Sequence, residues 1–323
     1  MLIPCLLFAF GLVLLIKGGD WFVDAATAIA HHYHVSELLI GATVVSIGTT
    51  LPEVMVSATS AVMGHGEIAY GNAIGSIICN TALIAAITVA IRPPKVDGKS
   101  LSSSVLFFFI AAIAYSAMAV FFRSFSRVSG ILFLLLFIIY IAYTVMQARR
   151  DSKENKQEDG DAADDGKPLW KQIVLLIIGA ALIAWGADLL VKNATIIAKA
   201  IGIPESVIGL TLVALGTSLP ELVTAITSLV KGHSSLSLGN IIGANFFNIV
   251  LVSGVATTLS PFDVPQGKTI GAYPTSLAVD IPVMLFVMAL LTLPPILAGK
   301  MSRVQGIVLL AIYAAFCVFQ FAF

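Results

Sequence analysis

One polar motif occurs twice in this chain, and the two copies lie 168 residues apart. The segment Gly-Thr-Thr-Leu-Pro-Glu at 48–53 returns as Gly-Thr-Ser-Leu-Pro-Glu at 216–221. The same shift relates Asn80 to Asn248, so the register holds without a gap. Each copy places a carboxylate directly after a proline inside a hydrophobic run, and both features are costly in a bilayer. Their duplication predicts one site built from two equivalent halves. Positions 168 apart are called repeat-mates below.

The composition places most of the chain in lipid. Hydrophobic residues make up 58% of the sequence and charged residues 11%, whereas a soluble domain carries roughly 25% charged residues. Because lipid offers no partner for backbone groups and no barrel-like alternation is visible, the spans should be helical. We predict an all-α polytopic membrane protein with ten transmembrane helices, at residues 2–28, 36–62, 69–91, 101–122, 127–149, 169–198, 204–230, 237–259, 272–294 and 303–322.

The ten predicted helices fall into two groups of five. The first repeat is 1–150 and the second is 168–323, separated by the acidic segment 151–167, which we interpret as a solvated, disordered linker. Two halves with odd helix numbers cross the membrane in opposite directions, so the repeats should be inverted. The repeated motifs lie in the windows 36–92 and 204–260.

The distribution of lysine and arginine predicts the orientation of the chain in the membrane. With the N-terminus outside, the inner side holds twelve such residues: Arg92, Lys95, Lys99, Arg149, Arg150, Lys153, Lys156, Lys167, Lys171, Lys231, Lys300 and Arg303. The outer side holds five: Arg123, Arg127, Lys192, Lys199 and Lys268. We therefore expect a multi-pass protein of the cytoplasmic (inner) membrane, with both termini outward and the linker in the cytoplasm.

The prolines of the motif, each with the glycine four residues earlier, are predicted to break or kink two helices near mid-membrane. Pro52 has no amide hydrogen, and its ring displaces the carbonyl four residues earlier. Carbonyl groups at 46–49, and at 214–217 in the second copy, should then lack internal partners. Such groups are tolerated in lipid only where they line a cavity or coordinate something. Inversion brings Glu53 and Glu221 to the same depth beside these carbonyls.

The chemistry of the motif favours a hard cation. Carboxylate, hydroxyl, amide and carbonyl oxygens suit calcium, sodium or magnesium better than transition metals. Asn80 and Asn248 can each add an amide oxygen. The motif glycines at 71, 75, 239 and 243 either line the site or simply allow close helix packing, and the sequence leaves both readings open.

Three other acids in or near the spans lie outside the predicted site. Asp20 and its repeat-mate Asp188 fall near helix ends, where capping or ion pairing is expected, and Lys17 lies one turn from Asp20. Asp280 has no acidic repeat-mate and is a candidate proton or gating group.

Charge balance favours obligatory exchange. Two ionised glutamates neutralise one divalent cation, and without any cation they would repel each other. Other positive charges must therefore occupy the site when the divalent cation leaves. Three sodium ions in exchange for one calcium ion would make transport electrogenic, whereas two protons would not.

The paired motifs G-T-[ST]-x-P-E and G-N-x-x-G-[SA]-x-x-x-N resemble the two alpha repeats of the calcium/cation antiporter superfamily. Within it, the chain is similar to sodium/calcium exchanger membrane proteins of the bacterial inner-membrane type. The resemblance implies four cation sites between the second, third, seventh and eighth helices, with the first and sixth helices sliding against this core. It implies metal ligation by Glu53, Glu221 and the carbonyls of Thr49 and Thr217, and further cation contacts from Ser46, Ala214, Thr50, Ser218, Ser76, Asn80 and Asn248.

Two positions depart from the family pattern that the resemblance brings with it. Ala244 stands where a serine hydroxyl can help to bind sodium, and Asn248 stands where some members carry an aspartate. A missing hydroxyl and a missing acid both weaken the case for several sodium ions per cycle.

The sequence thus predicts a secondary antiporter that exchanges calcium for sodium by alternating access. The alternative is a calcium/proton or sodium/proton antiporter on the same scaffold, and potassium is a further candidate ion. An intramembrane enzyme is a rival class that the paired glutamates beside prolines disfavour. A passive channel is a further rival; it would not need the charge-balancing argument, and saturating counter-transport would exclude it. We expect a monomer in the lipid bilayer with no cofactor beyond its transported ions. A net charge of zero argues against a nucleic-acid partner.

Overall fold

The computed structural model describes residues 2–94, 98–159, 168–201, 216–266 and 269–322. Its helices are α1 (Leu2–His32), α2 (Glu37–Val62), α3 (Gly66–Ile91), α4 (Gly98–Ala117, continued by the π-helical turn Met118–Phe122), α5 (Arg127–Asp159), α6 (Leu169–Ala200), α7 (Leu219–Lys231), α8 (Ser234–Leu259), α9 (Ser276–Ala298) and α10 (Arg303–Ala322). Within these described ranges, nine helices are long and apolar enough to cross a membrane. The chain is an all-α polytopic membrane protein, as the sequence predicts.

The helix bounds differ from the predicted spans at the segment that was predicted to be a disordered linker. The prediction of disorder from residue 151 is wrong for its first part, because α5 continues to Asp159. Residues 151–159 include Lys, Glu and Gln, which favour helix, and contain no Gly or Pro. The rest of the predicted linker, 160–167, lies outside the described residues, as does the first half of the seventh span, 202–215.

The contact between α1 and α6 shows how the two repeats are related. A Cβ atom added at Gly11 would lie 2.9 Å from the Gly186 carbonyl oxygen, and one at Gly18 would lie 3.0 Å from the Gly179 carbonyl oxygen. Residue numbers rise along α1 as they fall along α6, so the helices are antiparallel. Gly11 and Gly179 are repeat-mates, as are Gly18 and Gly186. Each contact is therefore the image of the other, as an inverted repeat requires.

Glycines also bring α2 and α8 into backbone contact. A Cβ atom on Gly243 would lie 2.6 Å from the Ala42 carbonyl oxygen, and one on Gly239 would strike the Leu38 carbonyl. In contrast, their repeat-mates Gly71 and Gly75 have no neighbouring atom within 4 Å that the structure describes. For the second pair of motif glycines, the packing interpretation explains the residue type.

Short strands pair near the ends of several helices. β1 (Ser124–Phe125) pairs antiparallel with β2 (Phe262–Asp263), and β3 (Thr269–Ile270) pairs with β4 (Tyr273–Pro274). The β3–β4 hairpin turns at Gly271, whose φ of +60° favours glycine. This hairpin explains why α9 begins at Ser276 and not at residue 272 as predicted.

Candidate functional site

Two fully buried glutamates lie near each other at the interface of the repeats. Glu53 on α2 and Glu221 in the first turn of α7 are both 0% exposed. They are close enough for their charges to interact. Among the described residues, none of their four carboxylate oxygens has a hydrogen-bond partner, and no basic side chain pairs with either group. A buried carboxylate without a partner costs several kcal/mol, so the geometry calls for a bound positive charge.

The same lack of partners extends to two further pairs of repeat-mates. Thr50 and Ser218 each bury a hydroxyl oxygen, and Asn80 and Asn248 each bury a whole amide, without a hydrogen-bond partner among the described groups. An unsatisfied buried polar group costs about 1–3 kcal/mol. Such groups are rare in native proteins, and a bound ion can satisfy them. Six side chains related by the pseudo-two-fold axis therefore share one property.

The remaining predicted site residues are less uniform. Ser46, Thr49 and Ser76 are buried on α2 and α3, whereas Thr217 is half-buried in the turn before α7. Ala214 lies outside the described residues. The site assignment of all eleven residues stays a prediction.

The hydroxyl group of Ser46 packs two helices together. Its single hydrogen is shared between the Gly41 carbonyl at 2.6 Å and the Asn240 carbonyl at 3.0 Å. The first bond stays within α2 and the second crosses to α8. The predicted cation contact of Ser46 uses its carbonyl group, which these bonds leave unchanged.

The two prolines act differently in the two halves. Of the two predicted outcomes at Pro52, a break is wrong, because α2 passes through Pro52 as helix and contains a π-helical turn at Gly41–Val45. A kink at Pro52 stays a prediction. In the second half, residues 217–218 form a turn, and α7 starts at Leu219 with Pro220 in its first turn. Proline fits a first turn because the amide hydrogen it lacks has no helical partner there.

Both asparagines of the candidate site open a π-helical turn. One turn spans Asn80–Ala85 on α3, and the other spans Asn248–Val252 on α8. Such turns are rare and often mark functional positions. Because the two turns begin at repeat-mates, the π-helical turn is a shared feature of both repeats. Neither turn has a signature that sequence periodicity could have detected.

α3 contacts the site from a third direction. Cys79, which precedes Asn80, lies beside Ser218 and within electrostatic reach of Glu221. The Thr49 hydroxyl likewise lies close to the Glu221 carboxyl group. The structure therefore brings α2, α3 and the start of α7 together around one point.

Two asparagines that sequence reasoning did not place in the site contact the helices of both glutamates. Asn72 donates to the Glu53 carbonyl oxygen at 3.2 Å. Asn240 accepts from the Thr49 hydroxyl at 3.2 Å and donates to the Thr224 hydroxyl at 3.0 Å. Their position inside the duplicated Gly-Asn pair is the signal that could have found them.

One ion-pair cluster ties α1 to the C-terminal end of α7. Lys231 Nζ lies 3.3 Å from Asp20 Oδ1 and 2.8 Å from Asp24 Oδ1. The expected pairing of Asp20 with a basic group is thus seen, with Lys231 and not the nearby Lys17. The repeat-mate of Lys231 is Met63, so the second half cannot form the same link.

In the second half, the acid equivalent to Asp20 pairs within its own helix. Asp188 lies 2.9 Å from Lys192 on α6. Asp280, which has no acidic repeat-mate, accepts a hydrogen bond from Gln320 at 2.9 Å. Its role as a proton or gating group stays a prediction.

The fold and the buried oxygen groups together define a polytopic membrane transporter for hard cations. A sequence profile of the family described as sodium/calcium exchanger protein matches residues 3–146 and 171–322. The sodium/calcium exchanger MaX1 of Methanosarcina acetivorans is 31% identical over 98% of each chain. The inner membrane protein YrbG of Escherichia coli is 35% identical over 82% of each chain.

Solved structures agree with the sequence relatives. The sodium-calcium exchanger NCX_Mj, soaked with sodium and strontium, matches with a TM-score of 0.78 and 36% identity, covering 97% of both chains. The chain belongs to the sodium/calcium exchanger family. It is a calcium/cation antiporter and not an enzyme, which confirms the predicted resemblance and class.

Proposed function

We propose that this protein exchanges calcium for sodium across the cytoplasmic membrane by alternating access. The observation that carries the proposal is the set of buried oxygen groups without partners, centred on Glu53 and Glu221. Two carboxylates with neutral hydroxyl and amide oxygens suit a dehydrated calcium ion. Family membership and the names of the relatives support calcium and sodium as the transported ions.

Each predicted residue has a role in this proposal. Glu53, Glu221 and the carbonyl groups of Thr49 and Thr217 hold calcium. The carbonyls of Ser46 and Ala214 and the hydroxyls of Thr50, Ser76 and Ser218 contribute to flanking sodium sites. Asn80 and Asn248 complete the middle of the site. Charge balance explains why the exchange is obligatory. One calcium ion neutralises the two carboxylates, which repel each other when no cation is bound.

The asymmetry of the two halves supports alternating access. On the α7 side, a Cβ atom at Gly19 of α1 would lie 2.8 Å from both Val223 and Thr227, so α1 covers this face. The repeat-mates of Val223 and Thr227 are Met55 and Thr59 on α2, and both are exposed. Equivalent surfaces are thus covered in one half and open in the other. A transporter closed on one side and open on the other has this arrangement.

The lysine and arginine distribution supports an orientation. Both termini point outward and the segment 151–167 lies in the cytoplasm. In this orientation, the Lys231 cluster is near the inner surface, and the covered side of the transporter is the cytoplasmic side.

Calcium-45 uptake into proteoliposomes tests the proposed exchange. We expect rapid uptake when sodium is loaded inside and little uptake when potassium is loaded. If three sodium ions are exchanged, a membrane potential that is positive outside will slow the exit of charge and reduce uptake. Uptake that needs no internal sodium, but follows an imposed pH gradient, would replace sodium by protons. Uptake without any counter-ion would indicate a channel.

A calcium/proton antiporter is the second candidate, and one observation favours it. Ala244 is fully buried on α8 where its repeat-mate Ser76 offers a hydroxyl group. Asn248 carries no charge. Compared with the family pattern, the site therefore lacks one hydroxyl oxygen that can bind sodium. It also lacks the third acid that some members carry.

Replacing Ala244 with serine tests whether this position contacts sodium. We expect the sodium concentration for half-maximal exchange to fall about three- to tenfold, since one added polar contact is worth roughly 1 kcal/mol. The matched control is Ala256→Ser, which adds a hydroxyl at another fully buried position of α8. Unchanged sodium dependence in Ala244→Ser would remove this position from the site.

A further inference from the structure

The side chain of Asn240 joins the two helices that carry the glutamates. It is 1% exposed. Its Oδ1 accepts a hydrogen bond from Thr49 Oγ1 at 3.2 Å, and its Nδ2 donates to Thr224 Oγ1 at 3.0 Å. Thr49 lies one helical turn before Glu53, and Thr224 lies one turn after Glu221. A single amide on α8 therefore links α2 to α7 beside the two acids.

The hydrogen bonds around Asn240 continue to the backbone of Glu221. The Thr224 hydroxyl shares its one hydrogen between the carbonyl oxygens of Pro220 and Glu221, both at 3.0 Å. One N–H of the Asn240 amide and the Thr224 hydroxyl thus form a continuous buried chain of hydrogen bonds that ends on the backbone. Satisfied hydrogen bonds in a buried polar network make the elements that they join more rigid. Its effect is to fix the first turn of α7, where the acid is located.

The repeat-mate Asn72 makes only half of the equivalent network. Its Nδ2 donates to the Glu53 carbonyl at 3.2 Å and to the Ser57 hydroxyl at 2.9 Å. Ser57 lies one turn after Glu53, as Thr224 does after Glu221. However, neither Asn72 Oδ1 nor the hydroxyl of Thr217, the repeat-mate of Thr49, has a hydrogen-bond partner among the residues that the structure describes. The bond between the repeats is therefore made at Asn240 and is open at Asn72.

Asn72, whose Oδ1 has no partner among the described residues, lies in the same half as the open helix surface. α1 covers the face of α7 near Val223 and Thr227, and Lys231 is paired with α1. The corresponding face of α2 at Met55 is uncovered. In the second half the helix face is covered and the asparagine bonds across to the other repeat, whereas in the first half both are open.

We propose that Asn240 and Asn72 are alternating positioning residues for the transported cation. In the access state of this structure, Asn240 holds Thr49 and the first turn of α7 at the separation that the cation requires. In the opposite access state, the Asn240–Thr49 bond opens and Asn72 bonds to Thr217 in its place. The proposal rests on the proposed function in one respect, that Glu53 and Glu221 bind the cation.

The first test compares transport kinetics of Asn240→Ala with those of a control. Groups that orient ligands typically contribute 10- to 100-fold to metal affinity or activity. We therefore expect the calcium KM of Asn240→Ala to rise about 10- to 100-fold, with a similar loss of calcium affinity in detergent by calorimetry. The control is Asn193→Ala, which removes a buried amide whose bond, to the Leu189 carbonyl at 2.7 Å, stays within α6.

The outcomes of this first test separate the possible roles. A purely structural role would lower the melting temperature and the maximum rate of both variants and leave KM unchanged, which would overturn the proposal. A double-mutant cycle adds a second readout. When Asn240 is present, the effects of Thr49→Val and Thr224→Val on the calcium KM should be coupled, although the two threonines do not contact each other. In Asn240→Ala, the two effects should be additive. Additivity in both backgrounds would also count against the bridge.

The second test detects the bond that this structure does not contain. In a variant without the native Cys5, Cys79 and Cys317, the pair Asn72→Cys and Thr217→Cys should form a disulfide under mild oxidation, detected as a loss of free thiols that reduction reverses. Failure of this pair to cross-link, while Thr49→Cys with Asn240→Cys does so, would overturn the alternation. If the wild-type protein moves no calcium, the proposed function fails, and this result is distinct from both tests.

Discussion

Replacing either Glu53 or Glu221 with glutamine is expected to abolish calcium exchange. Glutamine keeps the shape of the side chain and removes one of the two negative charges around the cation. Groups that only orient metal ligands contribute 10- to 100-fold, so loss of a charged ligand should reduce exchange by more than about 100-fold. The measurement is sodium-driven calcium-45 uptake, with calcium binding in detergent as a second readout.

A surface glutamate provides the control for this experiment. Glu67 is 62% exposed in its side chain and lies 3.7 Å from His65. Glu67→Gln removes the same charge outside the site and should keep the wild-type rate. Neither site variant should unfold, since in the structure the two carboxylates lack partners among the described residues. Wild-type exchange in either site variant would contradict the assignment of these acids.

Much of the fold could be predicted from the repeat alone. The constant shift of 168 residues relates Glu53 to Glu221 and Asn80 to Asn248 by residue number alone. Hydrophobic length placed the spans, because a bilayer demands helices of about 20 residues. Odd helix counts in each half predicted the inversion. The crossed glycine contacts of α1 and α6 agree with it.

The sequence could not predict how the two halves differ. Matching at a fixed shift detects what is identical, and a transporter in one access state has halves that are not identical. The hydroxyl groups that bind the two asparagine amides illustrate the limit. Ser57 and Thr224 have equivalent roles one turn after each glutamate, yet they are not repeat-mates. Matching at a fixed shift of 168 residues therefore detects neither Ser57 nor Thr224.

Tertiary contacts decided two other features. Proline was expected to break or kink α2, but the helix continues through Pro52 without a break and changes its winding earlier, at Gly41–Val45. Here α8 lies against the α2 backbone, and this packing can hold a turn that an isolated helix would not form. Asp20 pairs with Lys231, which is far away in sequence, and not with Lys17. Local spacing cannot rank these two partners.

Introducing a methyl group at Gly239 is expected to cause the second-largest loss of activity. In Gly239→Ala the new Cβ atom would strike the Leu38 carbonyl and would lie 3.0 Å from the Leu38 Cα atom. A helical backbone cannot yield locally as a flexible side chain can, so α2 and α8 must separate. Overpacking of this kind costs about 1–3 kcal/mol in stability.

The separation should also displace the cation ligands, because Gly239 precedes Asn240 and α2 carries Glu53. A shift of about 1 Å can reduce activity roughly 100-fold, so we expect calcium uptake to fall by about this factor and the melting temperature to decrease. Gly71→Ala is the matched control: it changes the repeat-mate, which has no described atom within 4 Å, and should remain active. Equal losses in both variants would show that the two glycine faces are packed alike during transport. Helix packing against Gly239 would then not be what distinguishes the two halves.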